Sequence, residues 1–157
     1  MSVERVKEYF KKEFGREDIV QETKESSATV AEAAKAIGTE ECRIAKTLAF
    51  ALKDQVILLV VAGDARVDNK KFKETFGLKA KMLAFDLTEE LTGFAPGGVC
   101  PFGVKEGVEI YLDDSLKRFP SVFPAAGSGQ SHVEMTMAEL EHFIPFKAWV
   151  DVTKLPM

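Results

Sequence analysis

The chain has 157 residues, enough for one ordinary domain with its own core, and its 46% hydrophobic and 29% charged residues exclude disordered, collagen-like and disulfide-dense classes. A formal net charge of -4 excludes a protein that coats nucleic acid by broad electrostatic attraction, which needs clustered Lys and Arg. The longest apolar run, Val56 to Ala62, is far shorter than the roughly 20 residues that cross a bilayer, and the opening Met1-Ser2-Val3-Glu4-Arg5 has no apolar signal core. A cytoplasmic protein with no membrane partner is expected.

In chain order, Val3, Val6, Phe10 and Phe14 recur at spacings of three and four, which predicts an amphipathic helix over Ser2 to Phe14, stopped by Gly15. Thr29-Val-Ala-Glu32, Asp86-Leu-Thr-Glu89 and Thr136-Met-Ala-Glu139 each set a capping oxygen three residues before a glutamate, so three short helices are expected to start there. The first two end at Gly38 and Gly93, where a left-handed residue costs glycine little. Apolar, β-branched stretches predict strands at Ile44 to Leu52, Val56 to Ala62, Lys81 to Phe85, Val108 to Leu112, His132 to Thr136 and Ala148 to Val152. Lys53-Asp54 suits a tight hairpin turn between the first two. No internal repeat or linker divides the chain. The expected class is α/β (α+β): one domain over residues 1–157 with a mixed, largely antiparallel sheet flanked by helices.

Alternation in the first long strand puts Ile44, Lys46, Leu48, Phe50 and Leu52 on one face and Ala45, Thr47, Ala49 and Ala51 on the other. The small face suits close packing against a helix; the bulky face suits a core or a pocket. Lys46 is a cation on the bulky side. It either reaches water from the strand end or is held in a cleft to anchor an anionic or carbonyl-bearing substrate. Gly93-Phe94-Ala95-Pro96-Gly97-Gly98-Val99-Cys100-Pro101-Phe102-Gly103 is too rich in glycine and proline for a helix interior or a central strand. It is a shaped loop, either a rigid turn or a source of backbone amides for an ester carbonyl and its oxyanion. Ala125-Ala126-Gly127-Ser128-Gly129-Gln130-Ser131 is a third small, polar loop. It lacks the spacing of a nucleotide cradle and precedes a strand rather than a helix.

Two cysteines, Cys42 and Cys100, read as reduced thiols, and the two histidines, His132 and His142, have no cysteine near them in sequence, so no metal or cofactor is expected. Two basic stretches, Lys7, Lys11, Lys12 and Arg16 on the first helix and Lys70, Lys71, Lys73, Lys79 and Lys81, are either solvated faces or a local nucleic-acid surface. Phe14, Phe72, Phe76, Phe85 and Trp149 fall where core or sheet-flank residues are expected.

Taken together, Thr29-Val30-Ala31-Glu32-Ala33-Ala34, Ile44-Ala45-Lys46-Thr47-Leu48, Gly97-Gly98-Val99-Cys100-Pro101-Phe102-Gly103 and Ala126-Gly127-Ser128-Gly129 resemble, in order and spacing, the YbaK/EbsC family. Its members are free-standing relatives of the editing domain of bacterial prolyl-tRNA synthetases. The resemblance implies a barrel-like mixed sheet and hydrolysis of mischarged aminoacyl-tRNA, typically tRNA(Pro) carrying a small non-cognate amino acid. It implies the acceptor end of tRNA as partner and prolyl-tRNA synthetase as a candidate protein partner. The family's functional lysine falls on Lys46, with Thr47 beside it. Its Gly-x-x-x-Pro loop falls on Gly97, Gly98, Val99, Cys100 and Pro101, and its pocket-lining small loop on Gly127, Ser128 and Gly129.

With no Ser-His-Asp set in the chain, the expected chemistry has Lys46 fixing the terminal nucleotide and the Gly97 and Gly98 amides orienting the ester. A hydroxyl of the substrate's ribose positions the water. Two rivals remain open at this point: a hydrolase using Cys100 with His132 or His142 as base, and a non-catalytic module binding a nucleotide, an acceptor stem or a protein. The amino acid removed and the oligomeric state are left open.

Overall fold

The computed structural model describes residues 2–26 and 29–156. In chain order, α1 (Ser2–Phe14) is followed by β1 (Gln21–Glu22), α2 (Val30–Ile37), β2 (Ile44–Leu52), β3 (Gln55–Ala62), β4 (Arg66–Val67), α3 (Asn69–Phe76) and α4 (Thr88–Thr92). Then come β5 (Glu109–Asp113), β6 (Ser121–Pro124), β7 (Ser131–His132), β8 (Met135–Thr136), α5 (Met137–Phe143), β9 (Ala148–Val150) and β10 (Thr153–Lys154). The principal sheet has the order β8-β6-β2-β3-β5-β9 and curls into a half-barrel. None of the described helices is long and apolar enough to cross a membrane.

The β2–β3 hairpin is the spine of this sheet. It pairs from Ala45 opposite Ala62 to Leu52 opposite Gln55, and the two-residue turn at Lys53-Asp54 closes it with Lys53 at φ 45°. The sheet is mixed, as expected, and parallel pairing is prominent in it: β2 with β6, β3 with β5 and β5 with β9 all run parallel. Each of these joins strands far apart in the chain, which a hairpin signal does not reveal.

Alternation along β2 sorts its side chains as expected. Ala45 and Ala49 face the main core with Val6 and Phe10 of α1, while Phe50 and Leu52 face a second core with Phe72 of α3. Thr29 caps α2 and Thr136 closes a full capping box on α5, and Gly38 and Gly93 end α2 and α4 in left-handed conformations.

Several sequence expectations need correction. Asp86 caps nothing: it sits in a 3-10 turn, and α4 starts after Leu87 without a side-chain cap. Lys81 to Phe85 is not a strand but meets β2 through one bridge, Met82 opposite Phe50. The expected strand over His132 to Thr136 is divided, because β7 pairs with β1 and β8 with β6. Five elements are not expected from sequence: the two-residue strands β1, β4 and β10, and α3 and β6. α3 starts at Asp68, whose carboxylate accepts from the Lys70 and Lys71 amides, and β6 lies in a stretch flanked by Pro120 and Pro124. Pro124 is tolerated opposite Ala45 because a parallel partner there requires no donor from it.

Candidate active site

β2 is paired with β3 along its whole length, but its other edge is paired only at the ends. β6 covers Ile44 and Ala45. The segment after α3 resumes the contact where the Leu83 amide donates to Ala49 O and the Ala51 amide to Lys81 O, both at 2.9 Å. Lys46, Thr47 and Leu48 lie in the interval, without a ladder partner on that side among the described residues. Since Ala49 and Ala51 direct their main-chain groups away from β3, Thr47, two residues earlier on the same strand, directs its own into the gap.

A cavity of about 440 Å³ fills this gap, within the ordinary range for small-ligand sites. Its walls come from α2 (Val30, Ala33, Ile37), β2 (Ile44 to Ala49), the Met82–Phe85 segment, the glycine loop (Pro96, Gly97, Val99) and the β6–β7 region (Phe123, Ala125, Ser131, His132). Lys46 is the only lysine or arginine on the described wall. Its Nζ lies 3.4 Å from the Gly63 carbonyl, with no ion-pair partner among the described residues. The nearby carboxylate of Asp64 is already engaged by Arg118 at 2.6 and 3.1 Å. Burial holds the Lys46 ammonium below the usual lysine range; the Asp64 charge opposes that shift and Arg66 adds to it.

Two buried polar atoms on the wall, Thr47 Oγ1 and His132 Nδ1, have no hydrogen-bond partner among the described residues. A buried unpaired polar group costs about 1–3 kcal/mol, and a site that receives a polar ligand is one place where such a cost is tolerated. Burial lowers the His132 pKa and so favours the neutral imidazole, and the Glu134 charge opposes this.

The predicted site residues divide into two groups. Lys46, Thr47, Gly97 and Val99 line the cavity together. Gly98, Gly127, Ser128 and Gly129 line an adjacent depression of about 410 Å³, and the two loops support each other: a Cβ on Gly98 would stand 2.7 Å from Gly127 O. The Gly98 amide donates to Ala95 O at 3.0 Å, closing the turn. Of the two glycines only Gly97, at φ 89°, lies on the cavity wall, and the Gly98 amide is already engaged. Pro101 and Cys100 are buried behind the wall rather than on it.

Cys100 is fully buried, its Sγ faces Phe102 O at 3.7 Å, and burial pushes its thiol up to about 12. It is a packing residue, with neither the exposure nor the thiolate character of a nucleophile. His142 packs against Phe14 and Phe143 in tilted and edge-to-face contacts, with ring centroids at 5.2 and 4.8 Å. As a site residue, His132 is expected from sequence only in the rival Cys100 hydrolase, and Phe123, Met82 and the α2 residues are not singled out there as part of the wall. The only available hint was the small loop immediately before His132. Among the described residues no group of three or more His, Cys, Asp or Glu converges as a metal site would require.

Fold and site together define a small mixed α/β domain with a ligand cavity set into a gap in its sheet and a half-buried lysine on its wall. The aminoacyl-tRNA editing domain family matches residues 24–143, and the chain belongs to that family, in its YbaK/EbsC group. Aminoacyl-tRNA editing is the activity class of that family. The chain is 52% identical over 155 residues to the uncharacterized protein YwhH of Bacillus subtilis, covering 98% of each. It is 30% identical over 104 residues to EbsC of Enterococcus faecalis, a proposed Cys-tRNA(Pro)/Cys-tRNA(Cys) deacylase, covering 65% of this chain and 63% of that one. A solved structure described as a proposed trans-editing enzyme for prolyl-tRNA synthetase superposes with a TM-score of 0.86 at 31% identity, covering 98% of this chain and 97% of that one.

Proposed function

We propose that this protein is a cytoplasmic deacylase that hydrolyses the ester of mischarged aminoacyl-tRNA, with tRNA(Pro) carrying a small non-cognate amino acid as its substrate. The observation that carries this reading is the unpaired interval of β2, which sets Lys46 and the Thr47 main chain on one wall of a largely apolar cavity that Gly97 also lines. An aminoacyl ester offers three groups to such a site. Its terminal nucleotide meets the Lys46 ammonium, its carbonyl oxygen meets the Gly97 main chain, and its small side chain enters the apolar part between α2 and Val99.

Among the described residues the wall shows no hydrogen bond between a nucleophile and a base. Water is therefore the nucleophile, and a ribose hydroxyl of the substrate positions it. The protein's part is to fix the ester and to stabilise the oxyanion as it forms. Selection among small amino acids rests on contacts worth about 1 to 3 kcal/mol per methyl group.

The test is a deacylation panel of alanyl-, cysteinyl-, seryl- and prolyl-tRNA with the parent protein and Lys46→Ala. Turnover of at least one mischarged tRNA is expected, reduced at least a hundredfold in the variant while its thermal unfolding is unchanged. Full activity in Lys46→Ala overturns the assignment, and binding without turnover on every tRNA points to a non-catalytic module.

A further inference from the structure

The lip of the cavity carries apolar surface that the aminoacyl group does not use. Phe85, expected from sequence to be a core or sheet-flank residue, is instead 79% exposed on the cavity margin, beside Met82 at 57%. Its position is held from both sides. Before it, Leu83 is bonded to β2 through Ala49 O; after it, the Leu87 amide and the Thr88 hydroxyl both donate to Ala84 O, at 3.0 and 2.9 Å. A large ring is thus presented to solvent on an anchored backbone, where a mobile loop would withdraw it.

The charges that precede and follow this ring along the chain differ in sign. On the chain leading into it, Lys79 and Lys81 are exposed and have no ion-pair partner among the described residues. On the chain leading away, Asp86, Glu89 and Glu90 are exposed. An exposed aromatic ring with exposed cations a few residues away along an anchored chain is suited to single-stranded nucleic acid, through base stacking and attraction of the phosphates. It also reconciles a net charge of -4 with a polyanionic substrate, since the attraction is needed only locally.

We propose that Phe85, with Met82 beside it, is the stacking platform for the base of the substrate's 3′-terminal nucleotide, and that the strand leaves the site over Lys79 and Lys81, away from α4. The proposal rests on the deacylase reading and specifies how that substrate's nucleotide end is held. Phe85 touches the base and not the reacting ester, so it is a binding residue, distinct from Lys46 on the cavity wall.

The experiment uses an acceptor-stem RNA hairpin with a single-stranded 3′ tail, 2-aminopurine as its last base and alanine joined to it through a non-hydrolysable amide. Binding to the parent protein should quench the fluorophore by stacking. Phe85→Ala should lose the quench and bind about tenfold more weakly, Phe85→Trp should keep both, and Lys79→Glu/Lys81→Glu should weaken binding with a reduced salt dependence. Because Phe85 is exposed, the alanine variant should unfold at the temperature of the parent. An unchanged quench or affinity in Phe85→Ala overturns the proposal. So does weakening that follows charge reversal at Glu89 and Glu90 instead, or sedimentation showing that Phe85→Ala dissolves a dimer while RNA binding persists. Deacylation measured in parallel separates the two readings. Turnover with an unchanged KM in Phe85→Ala removes the platform alone, and Phe85-dependent quenching without turnover on any tRNA removes the deacylase alone.

Discussion

Lys46 and Cys100 show how surroundings decide what a side chain can do. Burial depresses the pKa of the lysine and raises that of the thiol for the same reason, since each charged form is poorly solvated there. For Lys46 this yields a pH dependence with a definite sign. In the proposed mechanism it is the protonated form that holds the terminal nucleotide, and that form is lost as pH rises through a value below the ordinary lysine range. After correction for spontaneous hydrolysis, kcat/KM should therefore be flat at neutral pH and fall on the alkaline side earlier than an exposed lysine would allow. Stability should move the other way: the cost of burying the ammonium is present below the depressed pKa and is relieved as pH rises from there toward the ordinary value. A pH profile that stays flat through the whole alkaline range argues against a role for the charged lysine.

The two glycine-rich loops work as a pair. Gly97 faces the cavity, whereas Gly98 faces the neighbouring loop, and the Gly127-Ser128-Gly129 turn is held by its own bonds, with Ser128 Oγ 2.8 Å from Ser131 Oγ and the Gln130 amide on Ser128 Oγ at 3.2 Å. Gly98→Ala would drive a Cβ to 2.7 Å from the Gly127 carbonyl oxygen, which belongs to backbone and has no flexible end to yield. The loops must separate, so the variant should lose about 1–3 kcal/mol of stability, read from urea unfolding, and show lowered deacylation because Gly97 moves with its neighbour. Unaltered stability and activity would mean that the contact between the loops does not position the wall.

A buried carboxylate adds to the strand pairing that ties the C-terminal segment to the sheet. Asp113, at the end of β5, accepts from the Ser115 amide at 2.9 Å, the Val152 amide at 2.9 Å and the Thr153 hydroxyl at 2.7 Å. Ser115 in turn accepts from the Ala62 amide at the end of β3. Replacing Asp113 with alanine leaves three donors without their acceptor and should cost about 3 kcal/mol or more, lowering the unfolding midpoint by at least several degrees. The cavity is formed by other elements, so the folded fraction should retain its deacylation rate per molecule.

Read without its structure, the chain reveals whatever depends on local periodicity and turn chemistry. The faces of β2, the hairpin at Lys53-Asp54, the caps at Thr29 and Thr136 and the odd position of Lys46 are all legible, because alternation and capping act over a few residues. Aminoacyl-tRNA editing as the activity class is legible too, from four segments in the right order. The tertiary structure alone decides that the second edge of β2 stays open between Ala45 and Ala49, since this depends on where β6 and the Met82 segment dock from distant parts of the chain. It likewise decides that Thr47 and His132 bring unpaired polar atoms to one cavity, that Gly98 is needed against Gly127, that Cys100 is out of reach, and that Phe85 faces solvent. Each of these is a relation between residues remote in sequence, set by how sheet edges pair and loops pack, and no short-range pattern carries it.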